Sequence, residues 1–142
     1  MPKNILIVDD DPDVILFLST VLKDHGYIAV DASNGREGLE RAKSDHPDLI
    51  LLDLMMPQKS GIALLSDLKK DDALKEIPVI MVTGVSSETG IDLEAFFKKG
   101  ATGDPGRNAL KSEGYIEKPV DPQKLIKMIK EVLSSEFIVN NS

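Results

Sequence analysis

The chain has 142 residues, with 17 basic and 24 acidic side chains, a net charge of −7, 42% apolar residues and no cysteine. This composition predicts one soluble globular domain and excludes zinc–thiolate sites, disulfide scaffolds and thiol catalysis. Its acidity, with a pI near 4.8, argues against direct binding to nucleic acid or to an anionic membrane, because a polyanion is repelled rather than steered in.

Met1-Pro2-Lys3-Asn4 precedes an apolar core too short for a secretory signal, and no apolar run approaches the roughly 20 residues that cross a bilayer. The expectation is a cytoplasmic protein. Ile5-Leu6-Ile7-Val8 is a continuous apolar run of the kind buried on both faces of a parallel sheet, and Leu49-Ile50-Leu51-Leu52 and Val79-Ile80-Met81-Val82 repeat it. After the first run, Asp11-Pro12 gives an N-cap and a proline at the first helical position. Val14, Ile15, Leu18, Val21 and Leu22 then recur on one face until Gly26 stops the helix.

A weaker strand follows at Tyr27 to Asp31, then a helix over 35–44, the Leu49–Leu52 strand, a helix over 60–70, the Val79–Val82 strand and a helix over 88–99. Gly100 to Gly114 is a long connection where such units ordinarily use about 2 to 6 residues, and it can carry a short helix with Asp104 as N-cap, Pro105 at the first position and Gly114 as the stop. A weak strand at Tyr115 to Glu117 leads to a second Asp-Pro start, Asp121-Pro122, with Leu125, Ile126, Ile129, Val132 and Leu133 on one face. The strands alternate with helices. The pattern is that of a doubly wound α/β fold, flavodoxin-like, with a five-stranded parallel sheet between helical layers. Residues 1–135 form the expected domain, with an insertion at about 100–114 and a short tail at 136–142 that is too small for an output domain.

Ligands of open parallel sheets bind beyond the carboxyl ends of the strands. The residues that follow the apolar runs there are Asp9-Asp10, Asp53, Thr83 and Lys118-Pro119. Taken singly they have plain explanations. Asp9-Asp10-Asp11 reads as a solvated acidic turn with Asp11 as cap, Thr83 as a strand-ending hydroxyl, Tyr115 as edge packing, and Met55 and Met56 as core. Together, however, carboxylates from two strand ends suit a hard, oxygen-seeking cation such as Mg²⁺. A carboxylate beside that metal can act as a nucleophile toward phosphorus while an ammonium and a hydroxyl neutralise the phosphoryl oxygens. His25 and His46 are isolated and read as surface or cap residues. Lys124, Lys127 and Lys130 read as a solvated helix face, and Gly100, Gly103 and Gly106 lack the Gly-Lys-Ser/Thr that a P-loop requires.

Four ordered stretches, Ile5-Leu6-Ile7-Val8-Asp9-Asp10, Asp53-Leu54-Met55-Met56-Pro57-Gln58-Lys59-Ser60-Gly61, Val82-Thr83-Gly84 and Tyr115-Ile116-Glu117-Lys118-Pro119, resemble the receiver domain of bacterial response regulators, the CheY-like family. The resemblance spans essentially the whole chain. It implies Asp53 as phosphoacceptor, Asp9 and Asp10 as the acidic pocket with Asp10 as direct ligand of Mg²⁺ (or Mn²⁺), and Met55 as the donor of a backbone carbonyl to the metal. It further implies Thr83 as the switch hydroxyl, Tyr115 as the switch aromatic, Lys118 as the phosphate-binding lysine, and a cis Lys118-Pro119 bond. The implied partners are a histidine kinase or phosphotransfer protein and a downstream protein, with the chain a monomer or a phosphorylation-dependent dimer. The interval from Thr83 to Lys118 exceeds the family's usual spacing by roughly a dozen residues, beyond ordinary loop variation.

Two other functions fit parts of the pattern. A phosphorylation-independent scaffold is expected to lack Asp53, Lys118 or the acidic pair, all of which are present. An aspartyl-phosphate phosphohydrolase needs a second carboxylate two residues beyond its nucleophile, and position 55 is methionine.

Overall fold

A computed structural model describes residues 3–53, 61–83 and 114–141. Its elements are β1 (Asn4–Val8), α1 (Pro12–Asp24), β2 (Ile28–Ala32), α2 (Gly35–Asp45), β3 (Leu49–Leu52), α3 (Gly61–Lys70), β4 (Val79–Thr83), β5 (Gly114–Glu117) and α4 (Pro122–Asn141). The strands form one five-stranded sheet in the order β2-β1-β3-β4-β5, and every neighbouring pair is parallel. This is the doubly wound sheet the sequence predicts. The stretch 84–113, with the expected helix over 88–99 and most of the insertion, lies outside the described residues.

Alternate residues of the central strands supply two separate cores, because successive side chains leave a strand on opposite faces. Ile5, Ile7, Leu49, Leu51, Ile80 and Val82 pack with Leu18, Val21 and Leu22 of α1 and Leu125, Ile126 and Ile129 of α4. Leu6, Val8, Ile50, Leu52, Val79 and Met81 pack on the other face with Ala42 of α2 and Leu64, Leu65 and Leu68 of α3. Full burial of each such aliphatic side chain contributes about 1.5–3 kcal/mol. Leu74, in the turn after α3, is buried in the same core; it interrupts a polar stretch and has no periodic partner in the sequence to signal it.

The helix starts follow from capping chemistry. Asp11, extended at φ −96° and ψ 112°, accepts a hydrogen bond from the Asp13 N–H, and Pro12 occupies the first turn of α1. Asn34 does the same for α2 through the Glu37 N–H, one of the helix's orphan donors, while the Glu37 carboxylate reaches back to accept the N–H of Ser33, the residue before the cap. Gly26, at φ +85°, turns the chain after α1 so that the Tyr27 N–H returns to the Leu22 carbonyl. His25 and His46 are the C-caps of α1 and α2, in keeping with the cap role expected of them.

Two boundaries differ from expectation. Gly114 is the first residue of β5, paired with Ile80. A side chain there would meet Met128 Sδ at 2.9 Å, so glycine serves the close approach of α4 to the strand as well as the end of the preceding loop. The last helix continues to Asn141, through most of the segment expected to be a tail; no glycine or proline follows Pro122, so nothing in the backbone chemistry stops it.

Candidate functional site

Parallel pairing brings all the strand C-termini to one edge, and there the chain changes from wholly apolar to acidic. Val8 is opposite Leu52, and the ladder continues one step further, with the Asp53 N–H donating to the Val8 carbonyl at 2.9 Å and the Asp9 N–H donating to the Ala32 carbonyl at 3.1 Å. The backbones of both aspartates are thus fixed by the sheet. Asp9 and Asp53 are the buried charged residues among those described, at 1% and 5% exposure. Asp10, the next residue, is exposed. One carboxylate oxygen from each of Asp9, Asp10 and Asp53 lies within 4.8 Å of the other two.

Three carboxylates so close repel one another unless a cation intervenes. Lys118, which follows β5, supplies one: its Nζ is 2.9 Å from Asp9 Oδ2 and 3.8 Å from Asp53 Oδ1. Burial opposes the charge on Lys118 and is the largest influence on it, yet the Asp9 contact and the negative charges of Asp53, Asp9 and Asp10 together outweigh burial, so its pKa is raised above 10.5. The lysine is an ammonium at any physiological pH. The Lys118-Pro119 peptide bond is cis, as the resemblance implies.

The donor set fits a small, hard divalent cation. All three groups offer oxygen, they converge from two strand ends, and one is exposed and able to admit a hydrated ion. Asp9 Oδ2 is buried and meets the Lys118 ammonium at 2.9 Å with no other polar partner among the described residues, so it faces the cluster where a metal would be held. Asp9 Oδ1, by contrast, accepts the Asp11 N–H at 2.9 Å. That contact joins the site to the start of α1. The sequence marks Asp11 as a cap but gives no signal that its amide reaches back to Asp9.

The structure therefore brings together Asp9, Asp10, Asp53 and Lys118, four of the residues singled out from the sequence. Thr83 ends β4, and Tyr115 is in β5 opposite Met81; the side chains of both lie outside the described residues, as do Met55 and Met56. Lys124, Lys127 and Lys130 are exposed on α4, as expected for a solvated face. Lys124 and Lys127 also border a groove of about 510 Å³ between α4 and the end of β5, whose apolar walls are Ile116, Pro119 and Met128.

The sequence model of a family described as the response regulator receiver domain matches residues 5–130. Protein PilH of Pseudomonas aeruginosa is 35% identical over 131 residues, which are 92% of this chain and 98% of that protein. The polar-differentiation response regulator DivK of Brucella anthropi is 34% identical over 133 residues, with 94% and 98% covered. Among solved structures, a CheY-like response regulator receiver domain protein from Methanospirillum hungatei superposes with a TM-score of 0.78 at 32% identity, over 96% of this chain and 97% of that one.

Proposed function

The chain belongs to the response regulator receiver family, and we propose that it is a phosphoacceptor switch in which Asp53 takes a phosphoryl group from a histidine kinase or phosphotransfer protein. The observation that carries this is the Lys118 ammonium set between the Asp9 and Asp53 carboxylates inside a three-carboxylate cluster at the carboxyl edge of the sheet. A structural ion pair needs one acid and one base; this arrangement keeps two acids in excess of one base, the balance expected of a site that receives a divalent cation.

In the proposed mechanism Asp9 and Asp10, with Asp53 and the Met55 backbone carbonyl, would hold Mg²⁺ (or Mn²⁺), which would supply charge neutralisation at the phosphoryl group. An oxygen of Asp53 attacks phosphorus, the phosphorus–nitrogen bond of the phosphohistidine donor breaks, and the departing imidazole takes a proton. Lys118, beside Asp53 at 3.8 Å, pairs with a phosphoryl oxygen, and Thr83 donates its hydroxyl to another. The new acyl phosphate shifts the population between two conformations in which Thr83 and Tyr115 differ, and a downstream protein distinguishes them. Water later attacks phosphorus, releasing phosphate and restoring the carboxylate, so the chain catalyses its own resetting and is a regulator rather than a metabolic enzyme. Residues 1–135 are the receiver unit, the protein acts in the cytoplasm as a monomer or a phosphorylation-dependent dimer, and it makes no direct contact with nucleic acid or membrane. No helix among the described residues is long and apolar enough to cross a membrane.

Incubation with acetyl phosphate and Mg²⁺ tests this by intact mass. One phosphoryl group is expected, lost on treatment with hydroxylamine because it is an acyl phosphate, absent in Asp53→Asn and absent when EDTA replaces the metal. Stable phosphate on serine or threonine overturns the mechanism, and so does undiminished labelling of Asp53→Asn.

A further inference from the structure

Of the two oxygens of the buried Asp9, one faces the acid cluster and the other is tied to α1. Sheet hydrogen bonds fix the Asp9 backbone through its N–H to the Ala32 carbonyl, but a carboxylate on that backbone still turns about a broad, soft terminal torsion. What stops it is the Asp11 N–H, which donates to Oδ1 at 2.9 Å and so directs Oδ2 toward Lys118 and the cluster. The direction of that N–H depends on the backbone of Asp11, and two local devices set it. Pro12 restricts Asp11 to the extended region, where it is found at φ −96° and ψ 112°. The Asp11 carboxylate then closes a turn by accepting the Asp13 N–H at 2.9 Å.

We propose that Asp11 is a positioning residue for the metal site: its side chain holds the start of α1 in the geometry that aims its own amide at Asp9, and thereby sets the affinity for a divalent cation without being a ligand. The inference rests on the functional reading above, since it presumes that Asp9 serves a metal. It makes the helix cap part of the site, and the capping strength at position 11 a means of tuning metal affinity. Hydrogen-bond partners of metal ligands commonly influence affinity by 10–100-fold. The effect of Asp11 is smaller because Pro12 remains, and about threefold is the size expected.

Calorimetric titration of the full chain with MgCl₂ at fixed ionic strength tests this with two substitutions that remove the same charge. Asp11→Asn keeps a good N-cap acceptor and Asp11→Ala does not, so a difference between them reports the cap alone. Asp11→Ala is expected to bind Mg²⁺ about threefold more weakly than Asp11→Asn. A cap remote from the carboxylates is the control. Asn34→Ala removes the equivalent bond from Glu37 at the start of α2 and is expected to lower the urea midpoint while leaving Mg²⁺ affinity as in the wild type. Equal affinities for Asp11→Ala and Asp11→Asn overturn the proposal, as does an equal loss in Asn34→Ala, which reduces the effect to general loosening. If the wild type itself shows no Mg²⁺ binding, the metal-site assignment fails before the role of Asp11 is reached.

Discussion

Neutralising Asp53 should stabilise the metal-free protein, and the same change should remove most of its stabilisation by Mg²⁺. Asp53 is 5% exposed, with carboxylate oxygens of Asp9 and Asp10 within 4.8 Å and the Lys118 ammonium at 3.8 Å. At an effective dielectric of about 20, each repulsion amounts to roughly 3.5 kcal/mol and the attraction to roughly 4.4 kcal/mol, so repulsion prevails by about 2–3 kcal/mol. Desolvation of the buried carboxylate acts in the same direction. After the loss of the lysine contact and of the charged group's hydrogen bonding, Asp53→Asn is expected to gain about 1–3 kcal/mol in EDTA, which raises Tm by about 3–10 °C in a domain of this size. Thermal unfolding followed by circular dichroism, in EDTA and then in Mg²⁺, measures both parts. The wild type gains about 1.4 kcal/mol when the cation is tenfold above its Kd, whereas Asp53→Asn gains much less, so the two Tm values converge. A lower Tm for Asp53→Asn in EDTA, or an equal shift of both proteins with Mg²⁺, refutes the electrostatic reasoning.

Gly38→Val should destabilise by about 1–3 kcal/mol, because a Cβ at that position meets both methyls of Val8 at 3.0 Å and Leu64 Cδ2 at 3.1 Å; urea denaturation measures it, and no loss would mean that α2 lifts away freely. His46 ends α2 at φ +45° and ψ 63°, a left-handed conformation that disfavours side chains, so His46→Gly should raise stability by about 0.5–1 kcal/mol; a lower urea midpoint would show that the histidine earns its place by other contacts. Stability should fall in alkali. Lys118 is raised above 10.5 and burial raises Tyr27 above 10.0, so each keeps its proton longer folded than unfolded. Their contributions are complete below pH 10 and are lost as pH climbs through the folded-state values. Urea midpoints from pH 9 upward should decline in the wild type and decline less in Lys118→Met.

Most of the framework is legible in the sequence because one chemical rule governs each part of it. Continuous apolar runs mark strands covered on both faces, and Asp11-Pro12 and Asp121-Pro122 mark helix starts through acceptors that satisfy the first free amides. The rim residues are legible for a similar reason: a carboxylate directly after Leu49–Leu52 has no apolar purpose. Where the reading falls short, the determinants are tertiary. The end of α4 is not set by any local stop, and Gly114 belongs to β5 because Met128 leaves no room for a side chain. Leu74 is core only because the turn after α3 folds back on the sheet. The Asp11 amide reaching Asp9 is a contact of backbone geometry, invisible to a pattern of side-chain types.

The pairing of Val8 with Leu52 carries a consequence for how this site can change over time. Asp9 and Asp53 each stand one residue past that pair, so the gap between them is the gap between two adjacent parallel strands, about 4.8 Å. Their separation is therefore a property of the peptide backbone, the same in any sheet, and no loop has to be tuned to produce it. Helices, caps and connections on either side can be rewritten or lengthened while this gauge stays constant. A single-residue deletion within β1 or β3 cannot be absorbed in the same way, because it would exchange the two cores and send one carboxylate to the opposite face.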